Sequence, residues 1–404
     1  MHAWSGSKVR GGPRSIRDMD GPMSHPRLLL VMMLVGGCRF SGPTEASPGS
    51  PDGAIPPELT TVRVHYPVGS HTLALRGSAA GLDWSVGVPL GVGGEPDTFV
   101  YQATFTGHLE FKPLLDDLDW SRGPNYAVEG GATIDVYPHF FASKGAIVQL
   151  LPSFHSTLLG NDRVVWAYLP AGYDENRDAR YPVLYMHDGQ NLFDPTRAFG
   201  GNEWKVDETL DGASEDGSIR DLIVIGPENA GNSRTYEYTP TTDPGYPGGG
   251  GGGLYLRALV EELKPTVDTM LRTLPGRETT GVLGSSLGGL ISADAGCTHA
   301  DVFGIVGAMS PSTWWNNEVL VSEVQATGAL RPLRVYVDSG DAGAEDNQDG
   351  VLQTNQLAAT YLAIGYTDGV DFQHVVQMGA EHNEIYWAQR LPGALAFLFG
   401  PRTP

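Results

Sequence analysis

A serine flanked by glycines is the residue of this chain best placed to do covalent chemistry. Ser286 stands at the centre of Gly284-Ser-Ser-Leu-Gly288, a Gly-x-Ser-x-Gly pentapeptide. The apolar residues 280–284 before it predict a short buried strand, and the small residues 289–295 after it predict a closely packed helix. A strand, a tight turn and a helix are the context of a nucleophile elbow, which exposes the serine hydroxyl at the helix N-terminus. The pattern therefore predicts that Ser286 is the nucleophile of an acyl transfer.

A serine hydroxyl needs a base to take its proton, and the base needs an acid to orient it. On folds that carry such an elbow, the three residues follow in the order serine, acid, histidine. His382 lies in the polar stretch 379–384, after a predicted strand at 371–376, and is the late histidine that this order requires. His374 lies inside that strand and is predicted to be structural.

The acid is predicted in the loop 341–350, which follows a predicted strand and contains several carboxylates. Asp341, Asp346 and Asp349 are the candidates, and most of the acids in this loop must be solvated loop charges. So dense a cluster of acids also suits a calcium ion, but the loop lacks the full twelve-residue calcium-binding spacing.

The elements that must position these residues form an alternation of strands and helices from residue 145 to residue 404. This alternation predicts an α/β fold with a mainly parallel sheet and helices on both faces. Apolar periodicity over 254–274 predicts a helix that Pro265 kinks or interrupts. The six glycines 248–253 predict a mobile loop near a cleft or a surface linker, and no phosphate-binding signature follows them. Other strands are predicted at 164–169, 182–186, 222–226, 304–309 and 334–340.

Residues 59–142 predict a different architecture, a small all-β sandwich ahead of the α/β domain. Short apolar alternations broken by Gly, Pro and Asp are typical of strands, and no stretch has helical periodicity. Trp84 and Trp120 suit either stacking on sugar rings or packing in the core or at a domain interface. We favour packing because single tryptophans in sandwiches are usually packing anchors. Segments 109–115 and 119–125 resemble the end of a starch-binding or early-set immunoglobulin-like module.

The N-terminus is predicted to be an export signal. Arg27, a short apolar run and small residues precede Cys38, and residues 35–38 resemble a bacterial lipobox. The resemblance implies cleavage, lipid attachment to Cys38 and a membrane-anchored protein of the bacterial cell envelope. An ordinary signal peptide with a stray cysteine is the alternative. Residues 1–38 are thus the predicted signal, with Met19 and Met23 as alternative starts of translation, and residues 39–58 the predicted flexible linker.

The charge of the chain indicates which kinds of molecule it is expected to bind. The chain has 404 residues and a net charge of −21, so phosphate backbones should repel it and a nucleic-acid partner is not expected. The chemistry assigned to Ser286 requires no metal and no organic cofactor. Nothing in the sequence predicts an oligomeric state.

The α/β part resembles the esterase family of α/β-hydrolases that includes enterochelin esterases, feruloyl and acetylxylan esterases and S-formylglutathione hydrolases. The resemblance covers residues 145–400, and the segments that carry it are 181–193, 234–240, 284–289, 310–315 and 380–384. Each segment alone is only modestly specific for this family, but five segments in the order that the family has are strongly specific for it.

The resemblance implies further site residues. Relatives tend to place the acid just before a helix, which ranks Asp349 first, Asp346 second and Asp341 third. Backbone N–H groups of Gln190 and Leu287 would form the oxyanion hole, although many relatives have a glycine at 188 or 190.

The substrate cleft is the second feature that the resemblance implies. The family pattern puts Arg234 and Tyr238 in this cleft; a loop held by an Arg234–Glu237 pair is the alternative. Apart from the resemblance, Trp314 and Trp315 follow a predicted strand, at the end where α/β folds place ligands. They suit a pocket wall or cleft rim about as well as core packing, and both are assigned to the substrate-binding residues.

Together these patterns predict a serine carboxylic-ester hydrolase that forms an acyl-enzyme on Ser286. The substrate class stays open among siderophore esters, feruloyl or acetyl esters of polysaccharide, and other esters. An acyltransferase on the same scaffold and a non-catalytic, glycan-binding surface lipoprotein are the alternatives.

Overall fold

The computed structural model describes residues 58–329, 331–343 and 348–401. The predicted signal, Cys38 and nearly all of the predicted linker lie outside these ranges, and so does Asp346. Within the ranges, no helix combines the length and the apolar character needed to cross a bilayer.

Residues 58–136 form two small sheets without any helix, which confirms the predicted all-β region. One sheet has the order β4-β5-β1-β9; the other has the order β3-β2-β6-β7, with β8 also pairing with β6. Alternate residues Val62 and Val64 of β1 and Leu109 and Phe111 of β6 are buried in one shared core. The strands are β1 (Glu58–His65), β2 (Leu73–Gly77), β3 (Val88–Pro89), β4 (Gly91–Val92), β5 (Thr98–Phe105), β6 (His108–Leu115), β7 (Asp119–Trp120), β8 (Tyr126–Glu129) and β9 (Thr133–Val136).

Trp84 and Trp120 lie side by side on the surface of this region. Their side chains are 39% and 40% exposed, and their ring centroids are 6.3 Å apart. The guanidinium of Arg76 lies 5.2 Å from the centroid of the Trp120 ring. The predicted packing in the core is therefore wrong for both tryptophans, which contact each other at the surface, whereas the predicted packing at a domain interface stays a prediction.

The α/β region is built on an eight-stranded sheet in the order β10-β11-β13-β12-β14-β15-β16-β17. β10 and β11 are antiparallel to their neighbours, and all the other pairs are parallel. The central strands are buried along their whole length, as expected for a parallel sheet covered on both faces. The strands are β10 (Ala146–Ser156), β11 (Asn161–Leu169), β12 (Val183–Met186), β13 (Ile223–Pro227), β14 (Thr280–Ser285), β15 (Ile305–Met309), β16 (Arg334–Gly340) and β17 (Phe372–Gln377).

Helices cover both faces of this sheet, as predicted. The helices are α1 (Val206–Asp216), α2 (Arg234–Glu237), α3 (Gly252–Arg257), α4 (Lys264–Met270), α5 (Leu287–Thr298), α6 (Trp315–Ala326), α7 (Val351–Ala363) and α8 (Glu384–Phe399). Apolar residues of α3 to α7 pack in one core, and those of α1 and α8 pack in a second core. The predicted fold class, an α/β-hydrolase region preceded by a small all-β region, is confirmed.

Two residues of the loop after β11 join the all-β region to the α/β region. The side-chain amide of Asn176 donates to the carbonyl oxygens of Pro138 and His65, at 2.8 and 2.9 Å. The carboxylate of Glu175 accepts a hydrogen bond of 2.6 Å from the backbone N–H of Phe140. The two regions are therefore connected by hydrogen bonds between partly buried groups as well as by the chain.

The helix predicted over 254–274 is interrupted, as expected, ahead of Pro265. A π-helical turn, Ala258–Leu263, lies between α3 and α4, and Pro265 occupies the first turn of α4. Proline cannot donate a backbone hydrogen bond and its ring clashes with the carbonyl four residues earlier. The wider π turn directly precedes the proline, at the position where a regular helix would meet this clash.

The glycine run is packed, not mobile or linker-like as its composition suggests. A Cβ atom on Gly249 would lie 2.5 Å from the Trp315 ring, and one on Gly252 would lie 2.7 Å from the Ile291 side chain. A Cβ atom on Gly251 would overlap the ring of Tyr236. Glycine is required at these positions because neighbouring side chains occupy the space that a Cβ atom would need.

A buried acid makes the stability of the fold depend on pH. Burial in α5, next to Glu323 of α6, raises the pKa of Asp294 to about 7. The ordinary value is about 4, so between these values the folded state binds this proton more tightly than the unfolded chain does. The free energy of unfolding is therefore expected to fall as the pH rises from about 4 to about 7.

Asp294→Asn keeps the shape of the side chain and removes its titration. In this variant, we expect the free energy of unfolding, measured by urea denaturation, to fall between pH 4 and pH 7 by about 2–4 kcal/mol less than in the native protein. The difference follows from about 1.4 kcal/mol for each unit by which the pKa is shifted. Asp301→Asn, at an exposed acid, is the control and should keep the native slope. An unchanged slope in Asp294→Asn would contradict the assignment.

Candidate active site

Ser286 has the backbone geometry of a nucleophile elbow. It joins the end of β14 to the start of α5 with φ 58° and ψ −122°. This is a strained conformation for a residue with a side chain and costs roughly 1–3 kcal/mol. A Cβ atom on Gly284 would lie 2.8 Å from the Gly288 backbone and from the His187 ring, so the first glycine permits the sharp turn. The Ser286 hydroxyl lies 3.3 Å from that of Ser312.

His382 and Asp349 are in direct contact, with 2.5 Å between Nδ1 of the imidazole and Oδ1 of the carboxylate. Asp349 is 2% exposed. Burial opposes its ionisation, but hydrogen bonds from His382 and from the backbone N–H of Gly340 outweigh this and lower the pKa of Asp349. Asp341 lies elsewhere in the loop and accepts a 2.5 Å hydrogen bond from Gly379 N–H. Asp346 is outside the described residues.

Ser286 and His382 line the same cavity of about 340 Å³. The nucleophile and base candidates, 96 positions apart in the sequence, are therefore brought to one place. Asn191, Asn229 and Phe199 also contribute to the wall, which combines amide groups with apolar surface.

Gln190 and Leu287, the predicted oxyanion-hole donors, both lie in helical turns. Leu287 is the first residue of α5, so its N–H has no acceptor within the helix. Gln190 lies in the short 3₁₀ turn Gly189–Asn191 and lines the cavity, and its side-chain oxygen accepts 3.2 Å from Asn229 N–H. A Cβ atom on Gly189 would overlap the carbonyl of Gly226. The turn thus reaches this position only with glycine before Gln190.

Arg234 lines the cavity and is paired with Asp188, not with Glu237. Its Nε and Nη2 atoms each lie 2.8 Å from an oxygen of the Asp188 carboxylate. Burial opposes ionisation of Asp188, but the guanidinium outweighs it and lowers the pKa of this carboxyl. Glu237 instead binds Arg163 of β11, at 2.9 and 3.0 Å. The Arg234–Glu237 alternative is therefore wrong.

Comparison with known proteins decides the family. The profile of the "Putative esterase" family matches residues 156–398, more than half of the chain. The chain belongs to this family. As a member, it is a carboxylic ester hydrolase.

The individual relatives share less than a third of their aligned residues with this chain. The chain is 28% identical over 254 residues to the uncharacterized protein YbbA of Bacillus subtilis, covering 60% of this chain and 94% of YbbA. It is 25% identical over 256 residues to an endo-1,4-beta-xylanase/feruloyl esterase of Xylanibacter ruminicola, covering 61% of this chain and 31% of that protein. A solved ferulic acid esterase shares the fold, with a TM-score of 0.50, 21% identity, and coverage of 63% and 98%.

Tyr238 does not line the cleft of this esterase, so the prediction for this residue is wrong. Its side chain is fully buried, and its hydroxyl accepts a 3.2 Å hydrogen bond from Asp188 N–H. Its ring lies 5.1 Å from that of His187, whose Nδ1 is 2.9 Å from the Tyr255 hydroxyl. Burial lowers the pKa of His187 to about 4, so this imidazole is neutral near pH 7. These aromatic residues support the turn beneath the cavity.

The two adjacent tryptophans have different environments, and neither is among the described residues that line the cavity with Ser286. Trp315 is 1% exposed, and its Nε1 atom donates to the carbonyl of Thr241 at 2.9 Å, which makes it a core residue. Trp314 is 41% exposed and packs on Tyr246, with 4.9 Å between ring centroids. The prediction of a pocket wall or cleft rim is therefore wrong for Trp315, which is a core residue. Trp314 lies on the surface, and its role at the substrate stays a prediction.

Sequence reasoning missed two residues of α8 that adjoin the site. Trp387 lines the cavity and meets the His382 ring edge-on, at 5.1 Å and 86°. Arg390 is buried between Asp338 and Ser310, to which it donates hydrogen bonds of 2.9 and 2.7 Å. An arginine among the apolar residues Leu391, Ala394 and Leu395 was the available signal, because a buried cation requires a buried partner.

Proposed function

We propose that this esterase acts by acyl transfer to Ser286, with His382 as the base and Asp349 as the residue that orients it. The observation that carries the proposal is the 2.5 Å contact between His382 and Asp349 beside a cavity shared with the strained Ser286. The imidazole that accepts a hydrogen bond from serine needs its proton on Nδ1, and a carboxylate at Nδ1 holds that tautomer.

In the proposed reaction, the Ser286 oxygen attacks the ester carbonyl while His382 Nε2 takes the hydroxyl proton. The carbonyl oxygen becomes an oxyanion that accepts hydrogen bonds from the N–H groups of Leu287 and Gln190. Collapse of this intermediate breaks the ester C–O bond, and His382 returns the proton to the leaving alcohol. Water then attacks the acyl-enzyme through the same imidazole and releases the carboxylic acid.

The wall of the cavity bears on the substrate class. Its amide groups and the Arg234–Asp188 pair suit a polar ester, and its apolar surface suits an acyl chain or ring. We propose a carboxylic ester met outside the cytoplasm, such as a feruloyl or acetyl ester of a polysaccharide or a siderophore ester. The proposed location rests on the signal and lipobox pattern that ends at Cys38. A lipid on Cys38 would tether the enzyme to a membrane.

A fluorophosphonate probe tests the nucleophile directly, because it reacts covalently with an activated serine. We expect one adduct, found on the peptide that contains Ser286, and none in Ser286→Ala. Ser292→Ala, which removes a buried hydroxyl from the helix that follows Ser286, is the matched control and should keep the adduct. Absence of labelling in the folded native protein, or labelling of another residue, would refute the proposal.

A further inference from the structure

Ser310 has every hydrogen-bonding position of its hydroxyl occupied. Its Oγ atom lies 2.9 Å from Asp349 Oδ2, 2.7 Å from Arg390 Nη2 and 3.1 Å from Trp387 Nε1. Arginine and the tryptophan ring can only donate, so the hydroxyl accepts from both and must donate its proton to Asp349. Ser310 has φ 38°, in the left-handed region, at the turn that follows β15. This strained turn therefore places a hydroxyl whose proton can point only at Asp349.

Arg390 lies between two buried carboxylates. Its Nε atom donates to Asp338 Oδ2 at 2.9 Å, and its Nη2 atom is 3.9 Å from Asp349 Oδ2. The side chains of Arg390 and Asp338 are 4% and 0% exposed. Asp338 also accepts from Ser310 N–H at 2.9 Å and from the Tyr336 hydroxyl at 3.1 Å. Solvent is thus largely excluded, and the charges act on one another with little screening.

The cluster formed by Asp338, Arg390, Asp349 and His382 has a net charge that follows from the formal charges of its members. Burial raises the pKa of Asp338, and the charge and hydrogen bond of Arg390 oppose this rise and favour the carboxylate. With Asp338 and Asp349 ionised and Arg390 protonated, the sum is −1 while His382 is neutral. Protonation of His382, as happens during acyl transfer, brings the sum to zero. The negative carboxylates attract the imidazolium that forms during acyl transfer, and Arg390 weakens this attraction by offsetting part of their charge.

Other charged groups near His382 stay constant when Arg390 and Asp338 are changed. Glu384 begins α8 next to His382, and burial raises the pKa of Glu384. Glu381 is exposed and adjacent in sequence. Across the cavity, Arg234 is paired with Asp188. A comparison among variants of Arg390 and Asp338 cancels the contributions of these groups.

We propose that Arg390 and Asp338 are positioning residues that set the charge felt by the Asp349–His382 couple, with Ser310 as the hydrogen-bonded link between them. The proposal rests on the proposed function of His382 as the base. It assigns opposite roles to the two members of one ion pair. Arg390 limits the stabilisation of the imidazolium, and Asp338 limits the effect of Arg390.

The two roles predict opposite changes in the pH–rate profile. In Arg390→Gln a positive charge is lost, the imidazolium is favoured, and the acid limb of kcat/KM should move to higher pH by about one unit. In Asp338→Asn a negative charge is lost, the imidazolium is disfavoured, and the limb should move to lower pH by about one unit. The double variant restores the native sum of −1, so its limb should return close to the native position.

The experiment records kcat/KM for p-nitrophenyl acetate against pH in the native protein, both single variants and the double variant. The rate of fluorophosphonate labelling against pH is a second readout that depends on the base but not on the ester. Arg390→Lys keeps the charge but loses the planar fork, so it should keep the native limb with a lower kcat. Thermal melts verify that each variant is folded.

Opposite shifts that cancel in the double variant support the proposal. Shifts in the same direction, or a reduced rate with an unmoved limb in both single variants, overturn it, because a merely structural pair would give those results. If Arg390→Gln does not fold, Asp338→Asn and the double variant still decide, since an unmoved limb in Asp338→Asn overturns the proposal. If the native protein neither labels at Ser286 nor hydrolyses any ester, the proposed function fails instead.

Discussion

Asp349→Asn is expected to lower kcat by about 10³- to 10⁴-fold, because an amide can donate to His382 and so hold the wrong imidazole tautomer. The native carboxylate can only accept, and its 2.5 Å contact is with the Nδ1 atom of the ring. The substituted side chain has the same size, so KM for a small ester should change by much less than kcat. Steady-state kinetics with one short-chain ester measure both constants.

Asp341→Asn is the matched control for this prediction. Asp341 lies in the same acidic segment but binds the backbone N–H of Gly379, so its loss should change kcat by no more than about threefold. Thermal melts of both variants exclude unfolding as the cause, which is important because Asp349 also accepts from Ser310 and from Gly340 N–H. Equal losses in the two variants, or a larger loss in Asp341→Asn, would show that Asp349 is not the acid.

Glu237→Gln is expected to lower the free energy of unfolding by about 3–5 kcal/mol, because it leaves the charge of Arg163 buried without a counter-charge. The side chains of Arg163 and Glu237 are only 4% and 2% exposed, and two hydrogen bonds join them. Arg163 also donates to Asn161 at 2.8 Å, which cannot supply the missing charge. Urea denaturation at pH 7 measures the difference.

Glu261→Gln offers the same chemical change at an exposed pair. Glu261 binds Arg257 one helical turn away, with both side chains 50% exposed, so solvent screens this pair and its loss should lower the free energy of unfolding far less than the loss of Glu237 does. A cost for Glu237→Gln no larger than that for Glu261→Gln would contradict the argument from burial. Replacement of both Arg163 and Glu237 by apolar residues of similar size should recover much of the loss, because no unpaired charge remains.

The sequence predicted those parts of the fold and candidate site that local patterns encode. The elbow around Ser286 requires glycines, a preceding strand and a following helix, all of which are visible within sixteen residues. The order of strands and helices follows from periodicity in the same way. His382 was placed by its late position in the chain.

Partnerships between distant residues could not be read from local patterns. The Arg234 side chain binds Asp188, 46 positions earlier, and not its near neighbour Glu237. Spacing also does not say which way an aromatic side chain points, so Tyr238 and Trp315 were assigned to a pocket although both are buried. The acid was ranked within a cluster of similar carboxylates, because only the folded chain selects the one that meets the imidazole.

The packed glycine run has a consequence for how this protein can change through evolution. In a linker, a tract of six identical residues could gain or lose one without effect. Here Gly249, Gly251 and Gly252 fit against particular neighbours, whereas Gly248 and Gly253 have open space beside them. An insertion or deletion would leave the tract's composition almost unaltered yet shift α3 by one residue against the start of the tract. The length of this repeat should therefore be under selection as strict as that on a unique motif.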